Sequence, residues 1–428
     1  MSAAAARRKK QIQKRAGAGA GAAAAATGDD PIQLRLDALL HDPTLKDESV
    51  AYEALQLAQS SVRRNIKLGN FTNATEIAYS SSLSLLTLSG RASVSSQLLA
   101  VLVQVLNETQ TPCNDMWVSR FAALDAAHRN AIDADTTMSP EERGRLKRLH
   151  LQFLKKCLKW SNDFGTVRYG HTGMHLLLGE HCWDMSCDET VVGTATERAA
   201  RAENNNTENE DDGEEDDEDY LEIALRNEAV SHYALAEKID VILTKLKSLP
   251  APTSEELAMG HTCLPSQRDA LLTRSILVLL AIENLRDAKA LALSYLREIE
   301  NVSGRSDEEL KASYLDKTDG KAPSHIMFVC MLLRICEKDV KTAPLFTWLV
   351  RNFGAELGTM HDPEVIKTYT TKIGRVYFDI QPPPSMMNMM ENMMSMMGGG
   401  GMGGMGGPGG MNPAAMMQAM QAMQGGGM

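Results

Sequence analysis

A chain of 428 residues is long enough for two or three ordinary domains or for one extended repeat structure. Its longest purely apolar runs, Leu98 to Val103 and Ile276 to Ile282, fall far short of the roughly 20 residues a bilayer needs, so stable membrane insertion is not expected. The formal charge of −11 is local: Glu203 to Asp219 alone carries 11 carboxylates and no Lys or Arg, while the first 28 residues carry six basic groups and no acid.

Other totals are skewed in the same way. Of 25 Met, 16 lie in Met386 to Met428, together with 13 of 32 Gly, so the 43% hydrophobic content overstates the core. Seven Cys at irregular spacing fit reduced cytosolic thiols better than a disulfide framework. The N-terminal stretch of Ala, Gly and basic residues has no continuous apolar signal segment and is expected to be a disordered tail.

In chain order, the sequence divides into a basic Ala/Gly segment (1–45), a first helical half (46–187), an acidic disordered insertion (188–219), a second helical half (220–384) and a Met/Gly-rich tail (385–428). Good helix formers dominate the halves, and apolar residues recur at helical spacing, as in Leu98, Val101, Leu102, Val105 and Leu106. Tyr52 to Leu68 reads as one helix, Gly69-Asn70 as its stop, and Phe71 to Leu88 as the next. Ala54, Ala58, Ala74 and Ala78 sit where these two helices can approach closely. Ser139-Pro140-Glu141-Glu142 and Ser306 to Glu309 carry helix-start signals, as does Asp362-Pro363-Glu364. The fold class expected is all-α, an α-solenoid of tetratricopeptide-like helical hairpins, each burying one face on its neighbours. In the tail, Met386, Met389, Met390, Met393, Met394 and Met397 recur at i, i+3, i+4, i+7, a pliable apolar stripe suited to contacting a hydrophobic client or a co-chaperone.

Chemistry-bearing motifs are scarce, and the chain is expected not to be an enzyme. No Gly-rich loop ends in Gly-Lys-Ser/Thr, so no nucleotide cofactor is expected. His171, His175, His181, Cys182 and Cys187 form a metal-like cluster, with His171 and His175 sharing a helix face, but their spacing matches no regular zinc signature, and no metal is assigned to them. Two basic clusters stand out: Arg63, Arg64 and Lys67 lie within about one helical turn, and Lys155, Lys156 and Lys159 lie close on a later helix. Each is either a solvated face or a site for an acidic partner. Nucleic acid is disfavoured because aromatics make up 5% of the chain and none interleave with these bases.

Several stretches keep the order of one family. Tyr52-Glu53-Ala54 with Gln56, Arg64, Ala74, Glu76 and Leu83 resembles the N-terminal helices of the Golgi-to-ER-traffic protein four family, the scaffold subunit of the cytosolic machinery that targets tail-anchored membrane proteins. Phe153-Leu154-Lys155-Lys156, Lys159-Trp160-Ser161 and Phe164-Gly165 resemble its central helix end, and His175-Leu176 with Leu178 the helix after it. Asn284 with Arg286-Asp287-Ala288, Pro344-Leu345-Phe346, and Tyr377-Phe378 before Pro382 to Pro384 and the Met-rich end resemble its later parts. The likeness spans about Lys46 to Met397, apart from the acidic insertion.

The resemblance implies a non-catalytic scaffold. Its N-terminal helices would hold a targeting ATPase, and its C-terminal helices a ubiquitin-like-domain adaptor that brings in a co-chaperone. Arg64 matches a recurrent basic residue of the N-terminal face; Arg63 and Lys67 join it by helical proximity. Where members often carry an Asp, this chain has Gln97. The alternative is a helical-repeat subunit of another large assembly, of the proteasome-lid or coat type.

Overall fold

A computed structural model describes residues 31–193, 221–249, 268–298, 324–338 and 340–381, and all regular structure among them is helical. Helix α1 (Pro31–Leu40) is followed by a 3-10 turn (Pro43–Lys46), α2 (Glu48–Leu68), α3 (Phe71–Thr87) and α4 (Ala92–Glu108). Then come α5 (Asp115–Ala134), α6 (Pro140–Phe164), α7 (Thr172–Ser186) and the short α8 (Glu189–Val192). The second half contains α9 (Leu221–Leu235), α10 (Ile239–Ser248), α11 (Arg268–Ala281), α12 (Leu285–Glu298) and α13 (Ser324–Cys336). It continues with α14 (Ala343–Asn352), α15 (Gly354–Gly358) and α16 (Pro363–Phe378).

Local sequence explains the first hairpin. Helix α2 turns Ala51, Ala54, Leu55, Ala58 and Val62 to one side, and all are fully buried. Gly69 stops it in the left-handed region at φ 77°, and the Asn70 N–H bonds back to the Asn65 carbonyl at 2.9 Å, the pairing that closes a helix C-terminus. Ala74 and Ala78 of α3 are equally buried, so the four alanines lie in the core as their spacing implies.

Repetition of this unit builds two layers. Helices α2, α4 and α6 contact one another in succession, and α3, α5, α7, α9, α11 and α13 do the same. Each helix thus packs on its chain neighbour and on the next helix but one, the signature of a helical-hairpin solenoid. The chain then folds back: α16 packs against α11 as well as α14, so α11 is buried continuously from Ala270 to Ala281. The apolar run that starts at Ile276 lies in that central helix up to its last residue, Ala281. No helix among the described residues is long and apolar enough to cross a membrane.

Three boundaries differ from those expected. Helix α1 lies within the segment expected to be a disordered tail, where Leu36 and Leu40 are buried and the helix packs on α2. The acidic insertion was expected to begin at Asp188, yet Asp188 caps α8 through the Thr190 N–H, and Val191 and Val192 are buried on α6. A few apolar residues beside the acidic tract suffice to order this turn. At the last helix, Asp362 precedes Pro363 as expected, but it lies in the left-handed region at φ 52° and its side chain makes no capping bond. Ser139 does cap, accepting from the Glu142 N–H at 3.2 Å. Ser306 to Glu309, Glu203 to Asp219 and Met386 to Met397 lie outside the described residues.

The α6–α8 contact supplies a test of packing. A Cβ added at Gly144 would sit 2.2 Å from the Thr190 carbonyl oxygen, a backbone atom that cannot rotate away. Gly144→Ala gains about 1 kcal/mol of helix propensity but is expected to lower stability by about 1–3 kcal/mol through overpacking. The midpoint of urea unfolding reads the sign directly.

Candidate functional site

Stacking of α2, α4 and α6 leaves a groove with a volume of about 280 Å³. It is lined by Tyr52 of α2, by Ser93, Gln97 and Ala100 of α4, and by Arg145, Leu149 and Lys156 of α6, among others. Tyr52 and Leu149 are exposed large apolar groups, and Arg145 and Lys156 are exposed cations. The groove therefore combines apolar contact area with positive charge and contains no acid among its lining residues.

The predicted residues Arg63, Arg64 and Lys67 are all exposed near the end of α2. Eleven residues separate Arg63 from Tyr52, about three helical turns, so Tyr52, Gln56, Arg63 and Lys67 form one outward stripe. Leu68, 64% exposed, and Phe71, 47% exposed, flank the Gly69-Asn70 turn beside these bases. Sequence reasoning missed both. Their signal was a break in amphipathicity, since large apolar side chains on both sides of a hairpin turn have no hairpin core to enter.

The second basic cluster divides. Lys155 bonds Glu228 of α9 at 2.8 Å and is committed to joining helices, whereas Lys156 lines the groove. Gln97, the departure from the family pattern, also lines it.

A second exposed surface lies on α14. Phe346 and Leu349 face the core, Phe346 stacking on Phe378 of α16 at 4.6 Å. On the opposite side Leu345 and Trp348, spaced i, i+3, remain 54% and 53% exposed. A tryptophan left so open on a well-packed helix is a candidate partner contact.

The His/Cys cluster read from sequence is broken up. His171 is not on the helix face with His175; it is the N-cap of α7, accepting from the Gly173 N–H at 3.1 Å and pairing with Asp115 at 3.0 Å. His175 donates from Nε2 to the Tyr169 carbonyl and meets His232 through Nδ1, each at 2.9 Å. Burial and the facing His232 push it down to about 4. Cys182 is buried, with its thiol pushed well up by burial.

His181 belongs instead to a buried polar centre between α5, α6 and α7, with Asp125, His128 and His150. His150 Nε2 lies 2.9 Å from Asp125 Oδ1, and His128 stacks on His150 at 4.0 Å. Asp125 also pairs with Arg129 at 3.0 Å; these partners outweigh burial and hold its carboxyl below the usual range. Burial and the neighbouring His150 push His181 down to about 3.

These features define an α-solenoid with a cationic groove on its N-terminal layer and an apolar face on a C-terminal helix. The chain belongs to the Golgi to ER traffic protein 4 family, whose family model matches residues 69–397. It is similar to Protein GET4 of Arabidopsis thaliana, 23% identical over 333 residues, covering 74% of this chain and 82% of that protein. Among solved structures, the crystal structure of C. therm. Get4 covers 89% of this chain and 100% of its own, with 18% identity and a TM-score of 0.49. Family membership places the chain in Golgi-to-ER traffic and displaces the proteasome-lid or coat-type alternative.

Proposed function

We propose that this protein is a cytosolic, non-catalytic scaffold in the post-translational delivery of tail-anchored proteins to the ER membrane. Its N-terminal helices hold a targeting ATPase, and its C-terminal helices hold a ubiquitin-like-domain adaptor, which brings in a co-chaperone. The observation that carries the reading is the α2/α4/α6 groove, where Tyr52, Leu149, Arg145 and Lys156 offer a mixed apolar and cationic surface. Arg63 and Lys67 continue it along the Tyr52 stripe of α2, Arg64 adds a cation about a third of a turn around the same exposed helix end, and the three favour an acidic partner face. Gln97 provides a neutral hydrogen-bonding group there in place of an acid. Leu345 and Trp348 are the anchor for the adaptor. Tethering both partners to one body raises their effective concentration without chemistry. Met386, Met389, Met390, Met393, Met394 and Met397 are a further contact for a hydrophobic client or the co-chaperone.

Separate titrations of ATPase and adaptor test the assignment. Arg64→Glu should weaken ATPase binding about tenfold at low salt and much less at high salt, where charge is screened. Trp348→Asp should cost adaptor binding at least about thirtyfold. Each variant should leave the other partner's affinity unchanged. ATPase affinity insensitive to both salt and Arg64 would sink the N-terminal assignment, and intact adaptor binding by Trp348→Asp the C-terminal one.

A further inference from the structure

The buried centre between α5, α6 and α7 has a defect that hydrogen bonding alone does not repair. His181 Nε2 lies 3.1 Å from the Lys147 carbonyl oxygen, which only accepts, so Nε2 carries the proton and Nδ1 presents a bare lone pair. That lone pair faces Asp125 Oδ1 at 3.8 Å, one acceptor against another. His150 Nδ1 and His128 Nε2 are buried beside it without hydrogen-bond partners. Evolving such a centre in a scaffold core is costly, because unpaired buried polar atoms destabilise where apolar ones would not.

We propose that Asp125, His150 and His181 bind a divalent zinc-like ion that clamps α5, α6 and α7. One ligand atom from each residue lies within 4.8 Å of the others. Oδ1 to His150 Nε2 is 2.9 Å and Oδ1 to His181 Nδ1 is 3.8 Å, bracketing the separation of about 3.4 Å that tetrahedral bonds of about 2.1 Å impose. Two of the three ligands have outer partners: the Lys147 carbonyl accepts the outer N–H of His181, and Arg129 forms an ion pair with Asp125 Oδ2 at 3.0 Å. Two imidazoles and one carboxylate suit zinc better than magnesium or calcium. His150 ligates after its proton passes from Nε2 to Nδ1, with no change in net charge on the ring. A cavity of about 290 Å³, lined by His128, Arg129, Lys147, His181 and Asp184 among others, reaches the His181 side of the cluster and gives an ion a path in. His150 also lines the α2/α4/α6 groove, so this site lies directly beneath that surface, but the proposal does not rest on partner binding.

The test uses the full chain, stripped with a chelator and titrated with Zn²⁺ alone against a chromophoric competitor. One equivalent should bind at micromolar Kd or tighter, with a rise in Tm that chelator reverses. His181→Gln should weaken binding at least tenfold, whereas Cys187→Ser, removing an exposed thiol, should not. Because a core variant can fail to fold, Co²⁺ on the unmutated chain is the second measurement: four-coordinate nitrogen and oxygen ligation gives intense visible bands, and surface binding gives the weak six-coordinate spectrum. Intense bands uphold the site. Absence of stoichiometric zinc, a six-coordinate cobalt spectrum, or undiminished binding by a folded His181→Gln overturns it.

Discussion

Trp160→Ala should cost about 3–5 kcal/mol of folding stability, the largest loss expected from any single truncation in this protein. Trp160 is 0% exposed and sits on α6 between Phe121, at 5.6 Å, and Trp117, at 6.4 Å, both on α5 and both meeting its ring near edge-on. Its indole N–H donates to the Thr111 carbonyl at 3.1 Å, fastening α6 to the segment before α5. Truncation empties a large volume between α5 and α6, whose facing aromatic rings hold the walls apart, so the cavity collapses poorly. It also leaves the Thr111 carbonyl without that partner. Trp160→Phe keeps most of the ring packing and should cost about 1–2 kcal/mol. Urea unfolding followed by circular dichroism separates the two variants; a loss under 1 kcal/mol for Trp160→Ala would mean that α5 and α6 are not rigidly apposed.

Acid should destabilise the fold well before its carboxylates titrate. Burial and His232 push His175 down to about 4, and burial pushes His325 down to about 4, where Glu356 only partly opposes it. The unfolded chain takes up protons at these histidines as pH falls through about 6.5, but the folded chain does so only near 4. Between those values the unfolded state binds more protons, so stability rises with pH across the window and falls as pH drops through it. The stabilisation is complete above about pH 6.5 and amounts to on the order of 3 kcal/mol for each histidine.

The surroundings of His175 reinforce the sign. Tyr169 accepts from its Nε2, His232 meets its Nδ1, and Glu228, 3.6 Å from His232, is already paired with Lys155. A proton on Nδ1 would face His232 rather than a carboxylate. Urea midpoints measured from pH 7 to pH 4.5 should fall steadily, and the His175→Gln, His325→Gln double variant should show a shallower slope. Equal slopes in both proteins would show that neither imidazole is desolvated.

The solenoid was readable because its evidence is local. Apolar spacing on α2, the Gly69 stop, the Ser139 cap and the small alanines act within a few turns, and the structure uses each as the sequence implies. The cap expected of Asp362 and the helical placement expected of His171 failed for a nonlocal reason. Arg274, buried in α11, donates to the His361 carbonyl at 2.9 Å, and the His171 N–H donates to Ser161 Oγ of α6 at 3.2 Å. Tertiary partners set those backbones. Arg63, Arg64 and Lys67 were legible as a cationic turn, but the groove that Tyr52 lines with residues of α4 and α6 was not.

By itself, then, the sequence determined that the protein is helical, where many of its helices start and stop, that its charge is concentrated in segments rather than spread over the helices, and which family it resembles. These follow from propensities, caps and periodicities acting over a few residues. Only the tertiary structure decided that Tyr52, Gln97 and Lys156 share a groove, that Trp348 stays open, and that His181 leaves its chain neighbours for Asp125 and His150. Asp125 and His150 are 25 residues apart and meet only because α5 and α6 pack antiparallel. Helix packing selects such meetings through the fit of whole faces, and no short window of sequence carries that information.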